Sequence, residues 1–146
     1  MSETFILPTE QDMLDFGVPL AARLADGGVV YLSGDLGVGK TTLVRGLLRA
    51  MGHEGRVKSP SYGLVESYEL EGLTVHHLDL YRLADPEEIE YLGIADLLDE
   101  RSLLLVEWAE KGTGFLPPAS LGIDIEDLPD ESRRLTLAWP DREIAG

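Results

Sequence analysis

The stretch Gly34-Asp35-Leu36-Gly37-Val38-Gly39-Lys40-Thr41 constrains this 146-residue chain more than any other feature. It satisfies G-x-x-x-x-G-K-[ST] at every fixed position. Before it, Val29 to Ser33 is short, apolar and β-branched, which predicts a buried strand. After it, Leu43, Val44, Leu47, Leu48 and Met51 recur at helical spacing, and Gly52 closes the pattern. Glycines in such a turn let consecutive backbone N–H groups face an anion. The helix that follows adds unpaired N–H groups and partial positive charge at the same point. Lys40 supplies a full charge for β- and γ-phosphates, Thr41 a hydroxyl for Mg²⁺, and Thr42 a second hydroxyl beside it. The nucleotide-binding residues are therefore Gly34, Asp35, Leu36, Gly37, Val38, Gly39, Lys40, Thr41 and Thr42, with a nucleoside triphosphate and Mg²⁺ as the expected ligands.

The rest of the chain fills in an α/β domain. Thr4 to Leu7 fits an edge strand. Thr9 is a good N-cap for a helix running to about Asp26, with Met13, Phe16, Leu20 and Leu24 as its buried stripe. Gly52 to Gly63 reads as an extended loop broken by Ser59-Pro60. Leu64 to Leu70 and Leu73 to Leu80 read as two strands across the Glu71-Gly72 turn. Asp85-Pro86-Glu87-Glu88 reads as a helix start, with a helical pattern to about Glu100 broken once at Gly93. Ser102 to Trp108 contains Leu103-Leu104-Leu105-Val106, a fully apolar run of the sort found in central parallel strands. Leu121 to Glu126 and Arg133 to Trp139 alternate like a hairpin. The expectation is one domain over residues 1–146. Its fold is a P-loop NTPase-like three-layer α/β sandwich, mainly parallel, with antiparallel additions that include the C-terminal hairpin.

A phosphate loop of this kind works with a carboxylate at the end of a neighbouring strand. Glu107 ends the apolar run at Val106, and Asp79 ends Val75-His76-His77-Leu78. Hard divalent cations prefer oxygen donors, so Thr41, Glu107 and Asp79 form the expected magnesium set. Lys40, Asp79 and Glu107 are the expected catalytic residues, with the division of roles between the two acids open. His76 and His77 are adjacent on a strand and point to opposite faces, which reads as one core and one surface histidine. Arg56 to Tyr62 carries Lys58, Ser59 and Ser61, side chains suited to a γ-phosphate. By spacing alone it is an ordinary surface loop.

Composition narrows the partners. Twelve Lys plus Arg stand against 27 Asp plus Glu, a formal net charge of −15. Binding to DNA or RNA draws most of its affinity from Lys and Arg on phosphates, so direct, strong binding through a broad surface is disfavoured. An acidic surface suits a basic protein partner, although solubility alone accounts for it equally. The absence of cysteine removes disulfides, thiolate metal sites and a cysteine nucleophile. No early apolar run follows a basic stretch, and none approaches the ~20 apolar residues needed to cross a bilayer. The expected location is the cytoplasm.

Four blocks in this order and spacing resemble the TsaE (YjeE) family of tRNA threonylcarbamoyladenosine biosynthesis ATPases. They are Gly34 to Thr42, Ser59-Pro60-Ser61-Tyr62, His77-Leu78-Asp79-Leu80-Tyr81-Arg82 and Val106-Glu107-Trp108. The resemblance covers nearly the whole chain. It departs in having Ser61 and Tyr62 where Thr and Phe are usual, and Ala109 where Pro is usual. It implies a slow ATPase partnered with the TsaB–TsaD complex, which transfers a threonylcarbamoyl group to adenosine 37 of tRNA, so that tRNA is met only indirectly. It further implies that Lys40, Thr41 and Thr42 bind phosphates and Mg²⁺. Glu107 then resembles the principal magnesium carboxylate, and Asp79 is similar to a second acid that acts as base or metal partner. Ser59 and Ser61 fall in a switch-like loop, and Trp108 flanks the site.

Two other functions fit a phosphate loop. A small-molecule kinase usually gathers arginines in a lid, and here only Arg133-Arg134 are paired. A nucleotide-dependent interaction module would differ mainly in turnover. A GTPase is disfavoured because no Asn-Lys-x-Asp sequence occurs.

Overall fold

A computed structural model describes residues 2–35, 39–57, 65–97, 99 and 101–139. Leu36, Gly37 and Val38 of the glycine-rich turn, and Lys58, Ser59, Ser61 and Tyr62, lie outside the described residues.

Seven strands form one sheet: β1 (Ser2–Leu7), β2 (Gly28–Ser33), β3 (Val65–Leu70), β4 (Leu73–Asp79), β5 (Ser102–Glu107), β6 (Leu121–Asp127) and β7 (Arg133–Ala138). Their order is β1-β7-β6-β2-β5-β4-β3. The four central strands β6, β2, β5 and β4 run parallel. Antiparallel partners flank them, β3 on β4 and β7 between β6 and β1. The C-terminal hairpin therefore does more than decorate an edge. Its first strand, β6, lies directly against β2, with Val30 opposite Leu121 and Leu32 opposite Ile123.

Side-chain alternation divides the core into two layers. Leu103 and Leu105 pack on one face with Val30, Leu32 and Val75. Leu104 and Val106 pack on the other with Leu78 and Leu80. The first face is covered by α1 (Glu10–Asp15), α2 (Gly17–Arg23) and α3 (Lys40–Ala50), through Met13, Leu20, Leu43 and Leu47. The second is covered by α4 (Glu88–Leu92), α5 (Ile94–Leu97) and the 3-10 turn Ala109–Gly112, through Ile89, Ile94 and Ala109. β5 is buried at all six positions, as a central strand covered on both sides must be. No helix among the described residues is long and apolar enough to cross a membrane.

Two helices differ from the sequence reading. The helix expected from Thr9 to about Asp26 is broken at Phe16 into α1 and α2. Thr9 does cap it, in a reciprocal capping box with Asp12. Pro19, in the first turn of α2, cannot donate to Asp15, and just after the break Gly17 lies against α3, where a Cβ on it would fall 2.2 Å from the carbonyl carbon of Gly46. The later helix begins at Glu88 rather than Pro86, because its first turn closes through i to i+3 bonds from Glu88 N–H to Asp85 O and Ile89 N–H to Pro86 O, while the Asp85 carboxylate accepts the Glu87 N–H as an N-cap does. Gly93 separates α4 from α5, where the break was expected.

Candidate functional site

The carboxyl ends of parallel strands in an open α/β sheet are where ligands bind. β2 ends there at Ser33, leading through Gly34 and the glycine-rich turn to the start of α3. Gly39 precedes α3 with φ 105°, a left-handed conformation that favours glycine. α3 then presents Lys40, Thr41 and Thr42 in its first turn, the two threonines half-buried.

The neighbouring strands supply the acids. Asp79 and Glu107 end β4 and β5 and stand directly opposite each other in the parallel register. Both lie on the face of the sheet that carries Leu105 and α3. Glu107 is 4% exposed and Lys40 is 5% exposed. The Lys40 ammonium donates to the carbonyl of Gly34 at 2.8 Å, lies 3.6 Å from Glu107 Oε1 and sits 4.6 Å from the centre of the Trp108 ring. Lys40, Glu107, Asp79 and Trp108, expected together, share one corner of the structure.

Trp108 reaches this place through a strained backbone, with φ 60° in a non-glycine residue. Its ring contacts Tyr81 at 4.9 Å between centroids, and the Lys111 ammonium lies 5.4 Å from the centre of the Tyr81 ring. Lys40, Trp108, Tyr81 and Lys111 thus form a chain of ring and cation contacts that leads from the buried site to the exposed Tyr81.

His77 is the residue whose place the sequence reading missed. Its Nε2 lies 2.6 Å from Glu107 Oε2, and it is fully buried. His76 is buried too, with Nδ1 2.8 Å from the Ser67 hydroxyl, so neither histidine of the pair is a surface residue. Alternation does place them on opposite faces, but β4 is an interior strand and both of its faces are covered.

Electrostatics separates the two acids. Burial pushes Glu107 up, but the His77 hydrogen bond and the Lys40 ammonium outweigh it and hold the carboxyl below its usual value. Burial raises Asp79, the Tyr81 N–H at 3.0 Å counters part of that, and the Glu107 charge adds to the rise. Glu107 is therefore the firmly ionised acid and Asp79 the more basic one.

Beside Thr42 a cavity of about 230 Å³ opens between the start of α1, the start of α3 and the β6–β7 turn. Thr9, Glu10, Met13, Gly39, Glu131 and Arg133 complete its lining.

The family pattern described as "Threonylcarbamoyl adenosine biosynthesis protein TsaE" matches residues 7–135. The chain belongs to the TsaE family. A TsaE protein of Haemophilus influenzae is 49% identical over 141 residues, covering 93% of this chain and 89% of that protein. One from Bacillus subtilis is 36% identical over 117 residues, covering 80% and 73%. The crystal structure of Bacillus subtilis YdiB superposes with a TM-score of 0.82 at 26% identity, covering 98% of this chain and 88% of that one. The α/β fold is thus shared with a solved structure over almost its full length.

Proposed function

We propose that this chain is a magnesium-dependent ATPase that supports threonylcarbamoyl transfer to adenosine 37 of tRNA, working in the cytoplasm as a partner of the TsaB–TsaD transferase. Membership of the TsaE family supports the pathway. The observation that carries the chemistry is the buried Lys40–Glu107 pair under the first turn of α3, beside the turn that bears the complete phosphate-binding motif.

The donor set fits magnesium. Thr41, Glu107 and Asp79 offer hard oxygens only, and among the described residues no group of three His, Cys, Asp or Glu side chains suits a metal by itself. When bound, the ion would neutralise charge on the β- and γ-phosphates.

The chain's own residues account for the rest. The first N–H groups of α3 and the Lys40 ammonium bind phosphate oxygens, the ammonium exchanging Gly34 and Glu107 for the nucleotide. Glu107, held ionised, is the cation-holding carboxylate. Asp79, raised by burial above its ordinary value, is the better proton acceptor. Water attacks the γ-phosphorus in line, the bond from γ-phosphorus to the bridging oxygen breaks, ADP leaves, and the proton of water passes to Asp79 and then to solvent. The cavity beside Thr42 is the seat for adenosine. It lies at the same strand ends as the phosphate loop, on the side away from Glu107, where β6 and β7 turn. The strongly acidic composition supports docking on a protein rather than on tRNA.

The test is equilibrium ATP binding with and without Mg²⁺. Lys40→Ala should abolish binding in both conditions, and Glu107→Ala should remove mainly the magnesium-dependent gain. Wild-type affinity in both variants would overturn the site.

A further inference from the structure

We infer that His77 is a positioning residue of the nucleotide site: its Nε2 holds the Glu107 carboxylate in the orientation that turns Oε1 toward Lys40. The inference rests on the magnesium-nucleotide reading above and extends it to a residue that reading leaves unused.

Three observations carry it. First, His77 is 0% exposed, and its neighbours on the same face of the sheet are aliphatic, Val75 and Leu105 among them. Packing alone would be served at lower cost by leucine, since a buried ring nitrogen needs a partner. Second, the partner that Nε2 meets is Glu107, at 2.6 Å. A carboxylate oxygen only accepts, so Nε2 is the donor in this contact. Nδ1 meets no partner among the described residues, so the carboxylate contact is what fixes the ring. Third, the register puts Asp79, not His77, opposite Glu107. The contact therefore runs diagonally between β4 and β5, with Oε2 on the imidazole and Oε1 3.6 Å from the ammonium. A carboxylate tied at one oxygen presents the other in one place, as outer-shell partners of metal-binding carboxylates do.

His77→Gln, His77→Asn and His77→Leu separate this role from packing. Glutamine keeps an N–H donor at nearly the reach of Nε2, asparagine keeps an amide too short to reach Oε2, and leucine keeps only bulk. ATP affinity is measured by titration calorimetry in chelator and across a magnesium series, with thermal unfolding in parallel. Asparagine and leucine should raise the half-saturating Mg²⁺ concentration about 10- to 100-fold while leaving metal-free ATP affinity near wild type, and glutamine should restore most of the loss. Should leucine fail to fold, the contrast between glutamine and asparagine still decides. Equal magnesium dependence in wild type and asparagine, or a folded glutamine variant as defective as asparagine, overturns the inference. A wild-type protein whose ATP affinity ignores magnesium overturns the parent reading and this inference with it.

Discussion

The Nζ of Lys40 lies 3.6 Å from Oε1 of Glu107, and each side chain is only 5% exposed. Lys40 opens α3 and Glu107 closes β5, so this one contact joins the helix behind the phosphate loop to the central strand. Removing two charges from water is costly, and structural ion pairs of this depth are often replaceable by apolar side chains without loss. Binding of a polyphosphate and a dication, as proposed, would give this site a reason to keep both charges.

Lys40→Met should therefore destabilise the nucleotide-free protein by about 3 kcal/mol, the lower part of the range for a broken buried pair, because His77 still bonds Glu107. Urea denaturation at neutral pH checks it. Adding Glu107→Gln should recover part of the loss, since the stranded charge is then gone.

Asp79→Asn should raise Tm at pH 7 without nucleotide and abolish turnover. Burial lifts the folded-state value of Asp79 above the ordinary 3.8, so its carboxylate form opposes folding. The acid's favourable contribution is complete below that unfolded value and is lost as pH rises through the folded one. Asparagine keeps an acceptor for the Tyr81 N–H, and its advantage should vanish below pH 3.8. Glu107 has the opposite sign. Its folded value is depressed, so its contribution stands above the ordinary 4.5 and is lost as pH falls through the folded value.

Gly46→Ala tests how α3 is aimed. A Cβ there would lie 2.1 Å from the backbone oxygen of Leu14, and neither backbone can give way without moving a helix. The expected cost is about 2–3 kcal/mol by chemical denaturation, with weaker ATP binding as the first turn of α3 shifts.

Much of this was legible in the chain. The phosphate motif, the continuous apolar run ending at Glu107 and the hairpin of β3 and β4 are all local patterns, which sequence displays directly. What stayed hidden depends on which strands become neighbours. His77 reads as an ordinary alternating residue until β5 is known to lie beside β4, and its carboxylate partner is 30 residues away. The parallel pairing of β6 with β2 was equally out of sight, since a hairpin pattern says nothing about its outer neighbour. The break at Phe16 is different, a local signal that the apolar stripe masked: Pro19, in the first turn of α2, has no N–H to donate to Asp15 and its ring crowds that carbonyl.

Glu10→Trp should separate the two ends of the nucleotide. Glu10 is exposed and lines the cavity assigned to adenosine. The indole would occupy that space and weaken ATP about tenfold, a loss of about 1.4 kcal/mol, while leaving inorganic tripolyphosphate binding unchanged. Calorimetric titration of both ligands reads the difference.

The central claim is tested most directly by phosphate release from Mg²⁺–ATP and Mg²⁺–GTP, by wild type and Lys40→Ala, alone and with a TsaB–TsaD complex. The account predicts slow ATP hydrolysis that rises on adding the complex and disappears in the lysine variant. Preference for GTP, indifference to the complex, or full activity without Lys40 would contradict it.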